Sequence, residues 1–139
     1  MKKIHKLALG HLYTFAGKTR TVNISKGGFM FPPALALDNA LKEMEDTILK
    51  ELPSTFKSKS ELIKYVALVH AELLFIHPFR EGNGRTARLL ANLMVAKAGY
   101  KLLDLENFSK IKFDDYVIAV KMAANKNYKP MEKIIGSLF

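Results

Sequence analysis

Apolar positions recur at helical spacing along most of this chain. Ile4, Leu7, Ala8 and Leu12 mark a first helix over about 4–13, which Gly17 breaks. Thr21-Val22-Asn23-Ile24 then alternates in the strand sense, Lys26-Gly27-Gly28 is a turn signal, and Phe29-Met30-Phe31 follows. A small β-hairpin is predicted there, as the only strand structure. Pro32-Pro33 ends it and opens a helix whose face is Ala34, Leu37, Leu41, Met44 and Ile48. After a polar connection over 53–60, Ser60 is the expected N-cap of a long helix that is apolar on nearly every side from Leu62 to Ile76. Such a helix belongs at the centre of a bundle. Pro78 stops it, because the residue before a proline is pushed out of helical geometry.

A loop over 78–84 leads into a second helix, starting at or just after Gly84, carrying Leu89, Leu90, Leu93, Met94 and Val95, and capped by Gly99. Asp114-Asp115 opens another helix that fades around 125–127, and Pro130 begins a short terminal one. The expected fold is therefore all-α in class, a compact helical bundle with one β-hairpin flap. With 139 residues, no repeat and no linker, it should form a single domain over 1–139. Apolar residues make up 49%, enough for one core at this size. There is no cysteine, so disulfides and thiolate metal sites are ruled out. No apolar run is long enough for a signal-peptide core or a membrane span, the longest being Leu73–Ile76. A soluble cytoplasmic protein is expected, with delivery into another cell as the alternative.

The net charge is +9, from twenty-two basic residues of which eighteen are lysines. Those lysines are scattered, which suits a lysine-coated surface better than the clustered stripe of a nucleic-acid binder. Arginine behaves differently: Arg80, Arg85 and Arg88 lie together, and arginine suits bidentate phosphate contacts.

That cluster belongs to His77-Pro78-Phe79-Arg80-Glu81-Gly82-Asn83-Gly84-Arg85-Thr86-Ala87-Arg88, which holds all the specific chemistry. A helix ends, the chain turns through a glycine-rich loop, and a new helix starts. The first amides of that helix have no partner within it, and its dipole favours an anion. Gly82 and Gly84 let successive N–H groups point at one spot, a phosphate nest. Arg85 and Arg88, three apart, project from one face beside it, which suggests a polyphosphate. Glu81 is the lone carboxylate there, suited to Mg²⁺ shared with phosphate oxygens, or else to a salt bridge with Arg80 or Arg88. His77 can take a proton near neutral pH. His5, His11 and His70 have no such loop beside them and read as structural, and Phe79 as an apolar anchor of the loop. The loop is neither a Walker A sequence nor a dinucleotide fingerprint, lacking Gly-Lys-Ser/Thr, a preceding strand and a third glycine.

At these residues the chain resembles the Fic family, whose motif is His-Pro-Phe-x-(Asp/Glu)-Gly-Asn-Gly-Arg-x-x-Arg; residues 77–88 satisfy every fixed position. Residues 16–28 look like the family's segment leading into its flap, and the similarity runs from about Ile4 to Pro130. The resemblance implies transfer of AMP from Mg·ATP to a Ser, Thr or Tyr hydroxyl of a target protein. It implies His77 as general base, Glu81 holding Mg²⁺ and the amides around Gly82, Asn83 and Gly84 stabilising phosphate charge, with the Asn83 side chain adding to them. Arg85 would contact the β-phosphate and Arg88 the γ-phosphate. The flap, with Lys26, Gly27, Gly28 and Phe29 at its tip, would hold the target backbone by strand addition. Phe29 and Phe31 suit either that role or ordinary hairpin packing.

Many family members carry an inhibitory helix with Ser/Thr-x-x-x-Glu-(Gly/Asn). Here Glu81-Gly82 follows His77 by four residues and Glu106-Asn107 follows Leu102, so neither fits. Either constitutive activity or restraint by a separate small antitoxin lending that helix is expected. Related enzymes transfer other phosphate-linked groups, or phosphate itself, but the phosphorylating branch replaces the second glycine, and Gly84 is intact.

Overall fold

The computed structural model describes the backbone of residues 1–139, and the side chains of all but 109–111. Seven helices and one hairpin follow the order α1 (Lys2–Leu9), β1 (Ser25–Lys26), β2 (Phe29–Met30), α2 (Leu37–Met44), α3 (Lys59–Ile76), α4 (Asn83–Lys97), α5 (Leu105–Ile111), α6 (Phe113–Met122) and α7 (Lys129–Ser137). The fold is mainly helical, as the spacing of apolar residues predicts.

Helix α3 is the axis. Leu62, Val66, Ala67, Val69, Ala71, Leu73, Leu74 and Ile76 are all buried, against α2, α4, α6 and α7. Each fully buried aliphatic side chain contributes roughly 1.5–3 kcal/mol, which fixes where α3 ends and so where the loop after it begins. Its N-terminus is fixed by Ser58, not Ser60: Ser58 Oγ accepts from the Glu61 N–H at 3.1 Å, while Glu61 Oε2 accepts from the Lys57 N–H at 2.6 Å. That reciprocal pair needs a serine three residues before a glutamate, which Ser60 does not have.

Three other expectations are corrected. Helix α1 stops at Leu9, with Gly10 as its C-cap, rather than running to 13. Leu12 and Tyr13 donate back to the Leu9 carbonyl, closing a turn that returns the chain across α1. Gly17, at φ 83, is where it crosses: an added Cβ would lie 2.9 Å from Lys6 Cβ. Residues 21–24 do not form a strand, because the Val22 carbonyl is taken by the Arg20 side chain and Asn23 Oδ1 by the Ala34 N–H. The strands pair at Ser25↔Met30 and Lys26↔Phe29, the Phe31 N–H donates to the Ile24 carbonyl at 3.2 Å beyond them, and Gly27 (φ 56) and Gly28 (φ 73) form the two-residue turn. Helix α5 was not expected from the sequence pattern; its N-cap Asp104 accepts from the Asn107 N–H. Residues 34–49 form a 3₁₀ turn, α2 and a π turn in place of one continuous helix. Among the described residues no helix is long and apolar enough to cross a membrane.

Candidate active site

His77 closes α3. Its N–H donates to the Leu73 carbonyl at 3.1 Å, and it adopts the left-handed conformation at φ 49, ψ 56. An L-residue pays about 1–2 kcal/mol for that geometry, and Pro78 already disfavours continuing the helix. Its Nδ1 donates to the Leu74 carbonyl at 3.1 Å. A carbonyl can only accept, so the neutral ring carries its proton on Nδ1 and presents a lone pair at Nε2. The ring stacks on Phe31 at 4.0 Å between centroids. Burial lowers the His77 pKa below 6.5, partly opposed by the Leu74 carbonyl, with Arg20 and Lys26 adding to the lowering.

The chain then turns through Phe79, whose ring is fully buried, stacked on His5 at 3.8 Å. Helix α4 begins at Asn83, one residue before the expected start, with Gly82 as N-cap at φ 83. The Thr86 N–H and Oγ1 both donate to the Gly82 carbonyl at 2.9 Å. Among the described residues, the N–H groups of Asn83, Gly84 and Arg85 carry no hydrogen bond. These three donors at the positive end of a fifteen-residue helix make an anion seat.

The Asn83 side chain does not join that seat. Its Oδ1 accepts from the Phe79 N–H at 2.9 Å and its Nδ2 donates to the Phe79 carbonyl at 2.7 Å. The expected phosphate contact from this side chain is corrected to a brace across the loop, and only the Asn83 N–H remains for an anion. The two glycines also differ. At Gly82 a Cβ would lie 2.3 Å from Leu9 Cδ1 and 3.2 Å from His5 Nε2, whereas at Gly84 it would meet only Arg88 Nη1 at 3.2 Å. Gly82 is required by conformation and packing, Gly84 by space over the helix start.

Glu81 Oε1 accepts from the Gly82 N–H at 2.9 Å and pairs with Arg85 Nη2 at 3.4 Å. Its salt bridge is thus to Arg85, not Arg80 or Arg88. The carboxylate is 61% exposed, and a pair so open to water contributes little to stability. Its Oε2 carries no hydrogen bond among the described residues. A single carboxylate with one free oxygen beside an anion seat fits Mg²⁺, which binds through one or two carboxylates plus phosphate oxygens and waters. Among the described residues no three acidic or histidine side chains cluster, so protein ligands alone would not hold the ion. Arg85 Nη2 also donates to the Tyr13 hydroxyl at 2.8 Å. Arg88 lies over Gly84 and pairs with no carboxylate among the described residues. A groove of about 570 Å³ runs from Arg85 and Arg88 past Leu89, Asn92 and Leu102.

At the flap, Phe29 is half-buried and packs on Phe31 and Phe75, while Lys26, Gly27, Gly28 and Met30 are exposed. Three side chains that sequence reasoning left aside also enter the site. His5, fully buried, accepts from the Gly17 N–H at Nδ1 and donates from Nε2 to the Glu81 carbonyl, both at 2.9 Å. It is structural, as expected, but the structure it supports is the anion loop. Tyr13 holds Arg85. Arg20 donates to the His77 carbonyl at 2.8 Å; its separation from the other three arginines was the available signal. His70, by contrast, is locked between the Ala87 carbonyl and the Tyr116 hydroxyl, away from the loop, and burial pushes it down to about 4.

A profile of the Fic/DOC family matches residues 1–95. Over 135 residues the chain is 30% identical to protein adenylyltransferase Fic of Aedes aegypti, covering 96% of this chain and 26% of that one. Over 102 residues it is 34% identical to protein adenylyltransferase VbhT of Bartonella schoenbuchensis, covering 73% of this chain and 21% of that one. The chain thus spans about a quarter of the length of the relatives it matches. It superimposes with a TM-score of 0.77 on BepC, a VirB-translocated effector of Bartonella tribocorum solved with bound AMPPNP, over 99% of this chain and 71% of that one at 24% identity. With that profile matching more than half of its residues, the chain belongs to the Fic/DOC family.

Proposed function

We propose that this domain transfers AMP from Mg·ATP to a hydroxyl side chain of a target protein, releasing pyrophosphate. The observation that carries the reading is the His77 ring, whose Nδ1 is committed to Leu74 so that Nε2 is left as the acceptor, in the same short segment as three unpartnered amides. Five residues, 78–82, join the base to the first amide of the anion seat. The names of the relatives, protein adenylyltransferases, point the same way.

The polyphosphate sits at the start of α4, where the Asn83, Gly84 and Arg85 N–H groups stabilise charge gathering on the α-phosphate as the bond to the leaving group lengthens. Arg85, preset by Tyr13, contacts the β-phosphate and Arg88 the γ-phosphate. Glu81 would hold Mg²⁺, whose charge would offset that of the phosphates. His77 Nε2 takes the proton of the acceptor hydroxyl as its oxygen attacks the α-phosphorus in line, and later loses it to water. Positioning and electrostatics supply most of the rate in such transfers. The exposed backbone of the hairpin receives an extended target segment by strand addition.

A partner protein restrains the enzyme by lending a carboxylate to Arg88. Supporting this, Arg88 pairs with no carboxylate among the described residues, and the adjoining groove carries exposed Leu89 and Leu102. The donor is tested by incubating the protein and a lysate with ATP labelled at either the α- or the γ-phosphate. Label reaching protein from the α position supports adenylyl transfer, whereas label arriving only from the γ position rejects it in favour of phosphorylation.

A further inference from the structure

Arg20 is buried, with 4% of its surface exposed, yet no carboxylate pairs with it among the described residues. A buried guanidinium is costly unless its donors are satisfied. Each of its three nitrogens donates to a main-chain carbonyl: Nε to His77 at 2.8 Å, Nη1 to Val22 at 2.7 Å and Nη2 to Pro32 at 2.6 Å. Its own N–H donates to the Pro78 carbonyl at 2.8 Å.

The identity of those carbonyls matters. Val22 lies just before the hairpin and Pro32 just after it, so one planar group sets the spacing of the hairpin's two legs. The third carbonyl belongs to His77 itself, held in the left-handed geometry that aims its ring. Between them Phe31, buried at the hairpin's end, stacks on that ring. The planar guanidinium spreads its donors in a fixed fork, whereas a lysine ammonium would offer its three from a single atom.

We propose that Arg20 is a positioning residue that couples the flap to the base, so that target docking on the hairpin and the aim of His77 Nε2 are a single mechanical unit. The role of the flap here rests on the adenylyl-transfer reading above; the coupling itself does not. The proximity of the Arg20 charge to His77 supports the same contact. Arg20 touches neither Glu81 nor the amides of α4, so the nucleotide seat should not depend on it.

The test uses Arg20→Gln and Arg20→Lys in the full chain, with three readouts. Phe31 stacking shifts the His77 ring protons upfield in the wild type, so NMR reads the coupling without any turnover. In Arg20→Gln those signals should move towards free-histidine values, and the amides of residues 24–31 should shift with them. ATP affinity should stay within about twofold, while transfer at saturating ATP falls on the order of 10²-fold, the scale of a misplaced catalytic group. Arg20→Lys should recover only part of the rate. Should Arg20→Gln fail to fold, the same signals are read in Arg20→Lys, where a partial displacement is expected. Unchanged His77 and flap signals in a folded variant would overturn the proposal, as would a loss of ATP affinity equal to the loss of rate. If the signals move but not even the wild type transfers label, the coupling stands and the adenylyl-transfer reading falls.

Discussion

Replacing Gly82 by alanine should unfold the loop from behind, whereas the same change at Gly84 should leave the fold intact. At Gly82 two costs combine. The residue sits at φ 83, where a Cβ costs about 1–2 kcal/mol. That Cβ would also lie 2.3 Å from Leu9 Cδ1 and 3.2 Å from His5 Nε2, and relieving overpacking in a close-packed core typically costs about 1–3 kcal/mol. The expected loss is about 2–5 kcal/mol, or a fall in Tm of roughly 6–15 °C at this chain length. Gly84 has no left-handed φ, and its only near neighbour is the end of the Arg88 side chain. Gly84→Ala should therefore change stability by less than about 0.5 kcal/mol, as alanine is the better helix former, while weakening nucleotide binding where the new methyl crowds Arg88. Urea denaturation gives the stabilities and calorimetric titration with Mg·ATP the affinities. Leu9→Ala in the Gly82→Ala background should cost less than the two changes summed, because it removes the atom that is struck. A Gly82→Ala protein within 1 kcal/mol of wild type would refute the packing of α1 against the loop.

His77→Ala should abolish transfer while leaving Mg·ATP binding nearly unchanged, and Arg88→Ala should do the reverse, weakening binding first; single-turnover kinetics beside equilibrium titration separate the two. Because burial lowers the His77 pKa, its base form persists to lower pH than a free imidazole's, so the acid limb of the kcat/KM profile should lie below the ordinary histidine range. His70 gives a separate pH effect, on stability. Its folded pKa of about 4 lies below the ordinary 6.5, so between those values the unfolded chain binds more protons. Its contribution is complete above 6.5 and is lost as pH falls towards 4, by about 3 kcal/mol in all. Urea unfolding at pH 7 and pH 4.5 should show this slope in the wild type, and a His70→Gln variant should flatten it.

Much of the fold could be read from local pattern. The near-continuous apolar run from Leu62 to Ile76 admits only a central helix, and Pro78 must end it, because these are statements about one segment's own surface and backbone. The Gly27-Gly28 turn is local in the same way. Boundaries were legible only where the capping partner was near in sequence and correctly matched, as Ser58 with Glu61 shows against Ser60. The strand expected at 21–24 was lost to a side chain, Arg20, whose reach into the Val22 carbonyl no alternation of residues discloses.

The chain's own order of residues thus determined the chemistry: His77, Glu81, the glycine pair and two arginines lie within twelve positions, and a short segment can carry their meaning without help. Tertiary structure decided how each is held. His5 under the Glu81 carbonyl, Tyr13 on Arg85, and Arg20 on His77 are separated by 76, 72 and 57 residues. Each of these contacts exists because α3 packs centrally and brings distant backbone within hydrogen-bond reach. Hydrogen bonding acts over about 3 Å in space and is blind to distance along the chain. How the anion loop is braced from behind, and how the hairpin legs are tied to His77, were therefore settled only once the bundle closed.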